Sequence, residues 1–425
     1  MSKWKHQKLS ELCSRIGDGL HGTPEYSDDS DIYFINGNNL KNGAIEITAA
    51  TKRVSHKELE NNFIPLNKNT LLISINGTLG SMAFYKNEQV MLGKSAAYLN
   101  FKSDINKFYY YYFHLDSVQA YFYNVATGST IKNLSLKSIQ DFEVPVPEKT
   151  EWEGISDVLS ALDTKINLNK RINAELEAMT KTLYDYWFVQ FDFPDKNGKP
   201  YKNGGGKMVW NENLKREIPE VWNDGELKDI ARITMGQSPP GESYNSEGKG
   251  MVFFQGCTDF GSRFPTVRQF TTQPTRYAKN GDILLSVRAP VGTLNIANED
   301  CCIGRGLAAL NSKNNCIAYL FGVMINLKQI FDRRNVDGTT FGSITKDDLF
   351  SLKVVKPSMG ILKLYHEIIN PAFERQNKIE LENQQLSELR DWLLPMLMNG
   401  QVKVAKLNEE SYAMAAESSG EYKKR

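Results

Sequence analysis

The chain has 425 residues, enough for two to four domains, and its 41% hydrophobic and 24% charged content is that of an ordinary globular protein, which excludes wholesale disorder. The formal net charge is +1, so no whole-chain basic excess announces a nucleic-acid binder, although a basic face offset by acidic surface elsewhere fits the same balance. Cys13, Cys257, Cys301, Cys302 and Cys316 form no CxxC pair and read as reduced, mostly buried thiols. Residues 1–6 carry no apolar leader core, and no run of about 18 apolar residues occurs, so the expected location is cytoplasmic, with no membrane role.

In chain order, the first feature is Trp4-x4-Leu9, followed by short β-rich runs such as 71–75, a helical segment at 108–123, and then a change of character. Leu162, Ile166, Ile172, Leu176, Met179 and Leu183 fall at helical spacing amid Asn, Lys and Glu, predicting a long amphipathic helix in which Asn169 and Asn173 interrupt a strict apolar seam. Residues 191–221 are rich in Gly, Pro, Lys and Asp and read as a connector. The pattern then starts again. A β run at 283–287 and a helical segment at 317–331 lead to Ile379, Leu386, Leu389, Leu393 and Met396 at helical spacing, and the polar stretch 401–425 reads as a tail. Each long helix is expected to hold roughly 23 to 30 residues, about 35 to 45 Å at 1.5 Å per residue.

The second half repeats the first. Trp4-x4-Leu9 answers Trp222-x4-Leu227, and Phe34-Ile35-Asn36-Gly37 answers Phe253-Phe254-Gln255-Gly256. Asn69-Thr70-Leu71-Leu72-Ile73-Ser74, closing on Gly80, matches Gly281-Asp282-Ile283-Leu284-Leu285-Ser286, closing on Gly292. Gly93-Lys94 matches Gly304-Arg305, Gly128-Ser129-Thr130 matches Gly338-Thr339-Thr340, and Val144-Pro145 matches Val354-Val355. Six landmarks in one order, at so long a period, mean duplication of a whole domain plus helix rather than a solenoid. A duplicated reader suits duplex DNA, where paired elements meet two half-sites and the element between them fixes the gap.

Several stretches resemble the specificity subunits of type I restriction–modification systems. These are Trp187-Phe188-Val189-Gln190-Phe191-Asp192-Phe193-Pro194, Gly198-Lys199-Pro200-Tyr201-Lys202, Lys215-Arg216-Glu217-Ile218-Pro219-Glu220-x-Trp222, the repeated Gly-Asp-Ile-Leu-Leu-Ser-type strand, and Leu389-Arg390-Asp391-x-Leu393-Leu394-Pro395. The resemblance spans residues 4 to 404. It implies an α+β, internally duplicated, pseudo-twofold chain, with two mixed α/β target-recognition domains separated by two long antiparallel coiled-coil-like helices. The corresponding division is 1–153 and 222–360 for the target-recognition domains, 154–190 and 361–400 for the helical spacers, 191–221 for the connector and 401–425 for the tail. The resemblance also implies a bipartite, interrupted double-stranded DNA site, two methyltransferase subunits docked on the helices, and restriction subunits joining them. S-adenosylmethionine, ATP and magnesium are then expected on those partners and none in this chain. Where family members often carry Glu-Gln after the Pro-x-Pro segment, this chain has Glu151-Trp152 and Leu364-Tyr365.

Chemistry of the chain's own is hard to find. The Asn/Asp-Pro-Pro-aromatic loop of an N6-adenine methyltransferase is absent: Ser238-Pro239-Pro240-Gly241 lacks both the amide or carboxylate and the aromatic ring. Glycines 204–206 lack a strand-turn-helix context, no Walker A sequence occurs, and His6, His21, His56, His114 and His366 are scattered without metal-ligand spacing. No catalytic and no metal residue is therefore assigned. The alternatives are a stand-alone nuclease or methyltransferase with an unrecognised site, and a coiled-coil scaffold without DNA. The missing methyltransferase loop speaks against the first, and two divergent β-rich domains speak against the second.

Base readout favours Arg or Lys for guanine and Asn or Gln for adenine, while hydroxyls and basic residues hold phosphates. Loops combining these types place Gly19, His21, Thr23, Asn76, Thr78, Lys94, Ser129, Thr130 and Lys132 on DNA in the first copy. In the second copy they place Gln237, Ser238, Arg263, Arg268, Arg288, Arg305, Thr339 and Thr340 there. The plainer reading is that Gly and Thr build turns and the cations are solvated. The aromatic run 109–113 reads as core rather than a stacking platform.

Overall fold

A computed structural model describes residues 4–336 and 343–404, and the chain divides into two compact units, Met1–Ile166 with Gln385–Arg425, and Asn167–Gln384.

In the first unit, strand β1 (Lys5–Lys8) leads into β2 (Cys13–Asp18) and β3 (Ile32–Ile35). Then come β4 (Thr70–Ser74), β5 (Met82–Phe84), β6 (Val90–Leu92) and β7 (Ala96–Phe101). The Thr-Leu-Leu-Ile-Ser run of β4 is buried throughout, as a strand covered on both faces must be. An antiparallel sheet orders these strands β2-β7-β4-β5, with Ala96 opposite Ser74 and Ala97 opposite Asp18. β3 pairs in parallel with β6 in a smaller sheet. The buried Asn100 is satisfied by Thr70 Oγ1, which donates to its Oδ1 at 2.6 Å, and by Pro65 O, which accepts from its Nδ2 at 2.8 Å. The single helix expected at 108–123 is two, α1 (Asn106–Phe113) and α2 (Asp116–Val125), because Leu115 turns extended and His114 donates back to Tyr110 O at 2.7 Å. Phe108, Tyr109 and Phe113 of the aromatic run are fully buried, and Tyr109 stacks on Phe101 at 5.1 Å. β8 (Glu143–Val146) pairs with β1 and closes the domain.

A long helix, α3 (Lys149–Tyr184), follows. Its 36 residues exceed the 23 to 30 expected, because Trp152, Ile155 and Leu159 continue the apolar face under the first domain's core. Residues 191–221 are no slack connector. Asp192 is buried and accepts from Asn203 through N and Nδ2 at 2.8 and 2.6 Å, Phe193 stacks between Tyr201 and Trp222, and β9 (Met208–Asn211) forms a hairpin with β10 (Arg216–Pro219).

The second unit repeats the strand frame of the first. β11 (Asn223–Glu226) plays the part of β1, and β12 (Ala231–Met235) that of β2. β13 (Met251–Phe254), β14 (Ile283–Ser286), β15 (Leu294–Ile296), β16 (Cys301–Ile303) and β17 (Leu307–Ser312) follow. The main sheet has order β12-β17-β14-β15, with Ser286 opposite Leu307 where the first unit has Ser74 opposite Ala96, and β13 pairs in parallel with β16. Helix α4 (Ile317–Val336) covers the core, β18 (Lys353–Lys356) pairs with β11, and α5 (Met359–Met398) closes the chain. The 40 residues of α5 also exceed expectation, since Leu362, Tyr365, Ile369 and Phe373 lie buried in the second domain's core.

Within the second unit α3 and α5 run antiparallel. Asn169 Nδ2 donates to Glu382 Oε2 at 2.7 Å and Asn173 Nδ2 to Glu380 Oε2 at 3.4 Å, so the partner number falls as the chain rises. Within the first unit Arg390 donates to Asp163 Oδ1 at 2.8 Å, and Tyr111 OH donates to the other oxygen of that carboxylate. The apolar positions expected to dock partners are largely spent inside the chain. Ile166 and Ile379 are buried, and Leu162, Ile172, Leu176, Leu183, Leu386, Leu393 and Met396 are half-buried; only Met179 and Leu389 are exposed. Other apolar residues exposed on these helices include Leu168, Ile368, Leu381 and Trp392. At the departures from the family pattern, Glu151 accepts from Trp4 Nε1 at 3.0 Å, and Trp152 and Tyr365 are core. Cys13, Cys301, Cys302 and Cys316 are buried, Cys257 partly so, and all five are free. No described helix is long and apolar enough to cross a membrane.

Candidate nucleic-acid interface

In each unit the predicted loops gather at one end of the main sheet. The register that sets Ser74 opposite Ala96 and Asp18 opposite Ala97 puts the end of β2, the end of β4 and the start of β7 on one edge. The loop after β4 is pinned by Ser74 Oγ, which donates to Asn76 O at 3.1 Å, and by Gly80 N, which donates to Ser74 O at 2.9 Å. Gly80 closes it at φ +82°, in the left-handed region that a glycine adopts without strain. Asn133 bridges to Asn76, and Leu134 N donates to Ile75 O at 2.9 Å, which brings the 128–132 loop alongside. On the other flank Leu20 N donates to Leu92 O at 2.8 Å, so the 17–23 loop lies against the turn carrying Lys94.

The second unit uses the same pins. Ser286 Oγ donates to Arg288 O at 2.7 Å, Gly292 N to Ser286 O at 2.9 Å, and Gly292 sits at φ +89°. Ile344 N donates to Val287 O at 2.8 Å, and Gln237 N to Ile303 O at 3.0 Å. Beside these loops lies a cleft of about 570 Å³ lined by Gln237, Ser238, Tyr244, Gln255, Gln269 and Arg305. Thr339 and Thr340 lie outside the described residues.

The individual positions divide into tips and frame. Thr23, Asn76, Thr78, Ser129, Thr130, Gln237, Ser238 and Arg288 lie on these loops, and the side chains of Lys94, Arg305 and Arg288 are exposed and make no hydrogen bond or ion pair among the described residues. His21 is exposed but its Nε2 lies 2.7 Å from Asp18 Oδ2. Lys132 is engaged by its own domain, 4.9 Å over the exposed Tyr123 ring and 3.5 Å from Ala126 O. Gly19 is buried and crosses so close to Leu92 O that no side chain fits, which makes it a frame residue.

Arg263 is half-buried and committed to the chain itself. Its Nε donates to Asn377 Oδ1 at 2.5 Å, its guanidinium lies 4.4 Å over Phe373, and burial pulls its pKa down to about 10. The basic-aromatic turn around Phe264 thus anchors the sheet domain to α5. Arg268 is likewise committed, clamped on Asp259 through Nε at 2.7 Å and through a second nitrogen. Sequence reasoning did not single out Gln255, which lines the cleft just after β13, at the position that Asn36 holds after β3. Among the described residues, no group of three or more His, Cys, Asp or Glu side chains is placed to hold a metal ion.

A duplicated sheet domain with a pinned, variable loop edge and a long helix after each copy is the architecture of a two-part reader. The type I restriction modification DNA specificity domain matches residues 1–178 and again 219–390. The chain belongs to this family, whose members are the DNA-recognition subunits and not the catalytic ones. It is 29% identical over 338 residues to the type I restriction enzyme MjaX specificity subunit of Methanocaldococcus jannaschii, covering 77% of this chain and 76% of that one. With the MjaIX specificity subunit of the same organism it shares 24% over 422 residues, 95% of this chain and 94% of the other. The crystal structure of a type I restriction–modification system S subunit from M. genitalium has the same fold, with TM-score 0.60 at 19% identity over 93% of this chain and 96% of that one.

Proposed function

We propose that each unit reads one half of an interrupted, asymmetric double-stranded DNA site through the loop edge of its sheet, the two long helices setting the unread gap. One observation carries this reading: Ser74 and Ser286, with Gly80 and Gly292, pin the two edge loops identically, while the tips differ, Asn76-Gly77-Thr78 against Arg288-Ala289-Pro290. An invariant frame under divergent tips is what two different half-sites require. Of the predicted contacts, Thr23, Asn76, Thr78, Lys94, Ser129, Thr130, Gln237, Ser238, Arg288 and Arg305 remain assigned to DNA.

Two methyltransferase subunits dock on the helices, and restriction subunits join them. The exposed Leu168, Met179, Ile368, Leu381, Leu389 and Trp392 supply the apolar anchors for the methyltransferases. S-adenosylmethionine, ATP and magnesium belong to those partners. This chain contributes recognition and spacing only.

The test is to co-express the chain with its methyltransferase partner and map adenine methylation across a genome. A two-part interrupted motif is expected. Methylation that is the same without this chain would overturn the reading and favour an enzyme or scaffold role.

A further inference from the structure

Each unit seats its sheet domain on the long helices at one corner, and the two corners are built from different chemistry. In the first unit Asp163 of α3 accepts from Tyr111 OH and from Arg390 Nη1 of α5, both at 2.8 Å, with the carboxylate and the guanidinium only partly exposed. The duplication fixes the positions that answer these. Tyr109 OH donates to Pro145 O as Tyr319 OH donates to Val355 O, so Tyr111 is answered by Phe321. Asp163 and Gln376 stand equally far beyond Glu151-Trp152 and Leu364-Tyr365, and Arg390 follows Leu389 as Glu177 follows Leu176. Phe321, Gln376 and Glu177 line one pocket of the second unit, so the corner is the same while its hydroxyl, carboxylate and helix cation have all been replaced. There the cation comes from the sheet domain. Arg263 lines this pocket, donates to Asn377 and lies over Phe373, the carboxylates of Glu177 and Glu380 favour its charge, and Ser262 Oγ donates to Glu380.

The first unit has no such cation. Its turn between the paired Leu40 and Ile45 answers the turn between Phe260 and Pro265, which sets Gly43 in the place of Arg263. Gly43 sits at φ +77°, and a Cβ there would come within 3.1 Å of Tyr110 OH. Shape changes along with charge. Tyr112 packs on the core that holds Leu397 in the first unit, whereas the answering residues of the second are Gly322 and Tyr184. A Cβ on Gly322 would meet the Tyr184 ring at 2.2 Å. Each change on a domain is thus met by one on its helices. The first domain set on the second corner would leave Glu177 and Glu380 without their cation and drive Tyr112 into Tyr184. The second domain set on the first corner would bring Arg263 beside Arg390 and take the Tyr111 hydroxyl from Asp163. Unpaired charge and overpacking both act against such seating. We propose that the two helix corners are keyed, each accepting its own reading domain. The key is Tyr111 and Tyr112 against Asp163, Arg390 and Leu397 in the first unit, and Arg263 and Gly322 against Glu177, Tyr184 and Gln376 in the second.

The test uses the full chain co-expressed with its methyltransferase partner, with co-purified yield, Tm and methylome mapping as readouts. In a chimera, residues 223–357 are replaced by a second copy of residues 5–147, so that the first domain sits at both corners. On the native second corner its yield and methylation are expected to fall roughly tenfold or more. Adding Glu177→Arg, Tyr184→Leu and Gln376→Asp installs the first corner's key and is expected to restore both, with a symmetric motif that carries the first half-site on either side of the gap. The same three substitutions in the native chain are expected to lower Tm by about 4–8 °C. Help to the chimera and harm to the native chain is a crossover that a merely structural role would not produce. Gly322→Tyr in the native chain tests the steric part alone: Tm should fall, and Tyr184→Leu should recover it. Keying is overturned if the chimera performs equally on the native corner, if the three substitutions help or harm both chains alike, or if the chimera is insoluble on both corners. A keyed chimera that co-purifies at full yield but leaves the motif unchanged instead sinks the DNA-reading role and leaves the keying standing.

Discussion

Arg263→Ala gives the sharpest check on the division between frame and tip. The wild-type guanidinium donates to Asn377 Oδ1 at 2.5 Å and lies 4.4 Å over Phe373, joining the sheet domain of the second unit to α5. A hydrogen bond to a charged group contributes about 1.5–3 kcal/mol, and a shielded cation–π contact about 0.5–2 kcal/mol. Against these stands the cost of burying the cation, visible in its pKa, which burial pulls down to about 10. The net loss expected for the alanine variant is about 2 kcal/mol, or roughly 4–8 °C in Tm for a unit of this size. Arg263→Met keeps most of the packing, removes the desolvation cost, and is expected to lose less. The measurements are thermal unfolding of the co-purified protein and the methylation motif. Lower Tm with an unchanged motif is the expected result. An unchanged Tm together with a relaxed second half-site would refute the reasoning and return Arg263 to the DNA surface.

Three further outcomes follow from the structure. Asn383 is buried on α5 with neither amide atom partnered among the described residues, so Asn383→Leu is expected to stabilise the protein by about 1–2 kcal/mol in urea unfolding. A lower midpoint would contradict this. His114 is held neutral, its pKa lowered chiefly by burial, so the unfolded chain takes up a proton first as pH falls. Its contribution is present above about pH 6.5 and is lost as pH drops below that value; His114→Gln should flatten this part of the stability profile, and an unchanged slope would count against it. Inserting four residues into the 162–183 stretch of α3 lengthens it by about 6 Å, so the unread gap should widen by roughly one to two base pairs with both half-sites intact. Altered half-sites would contradict the assigned roles.

The duplication was legible because it rests on local landmarks. Strands such as 70–74 and 283–286 are apolar runs closed by glycine, and the glycines that close them sit at positive φ as the turns demand. What stayed hidden depended on distant partners. The Arg263 turn looks like an exposed basic-aromatic patch until Asn377 and Phe373, more than a hundred residues on, cover it. Pro371, a residue that normally marks a helix end, lies within α5 between the buried Ile369 and Phe373. The helical apolar stripes divide: Ile166 and Ile379 are covered by the chain itself, whereas Met179 and Leu389 are exposed.

This separation of frame from tip has an energetic consequence. The pins are made by buried groups, Ser74 and Ser286 at the strand ends, where leaving a donor or acceptor unsatisfied costs about 1–3 kcal/mol. The tips, such as Thr78, Ser129, Gln255, Arg288 and Arg305, are exposed, and substitutions at such positions shift stability by only about 0.5 kcal/mol. Sequence preference can therefore change at the tips without refolding the domain beneath them. Because the frame exists twice in one chain, one half-site can change while the other is retained.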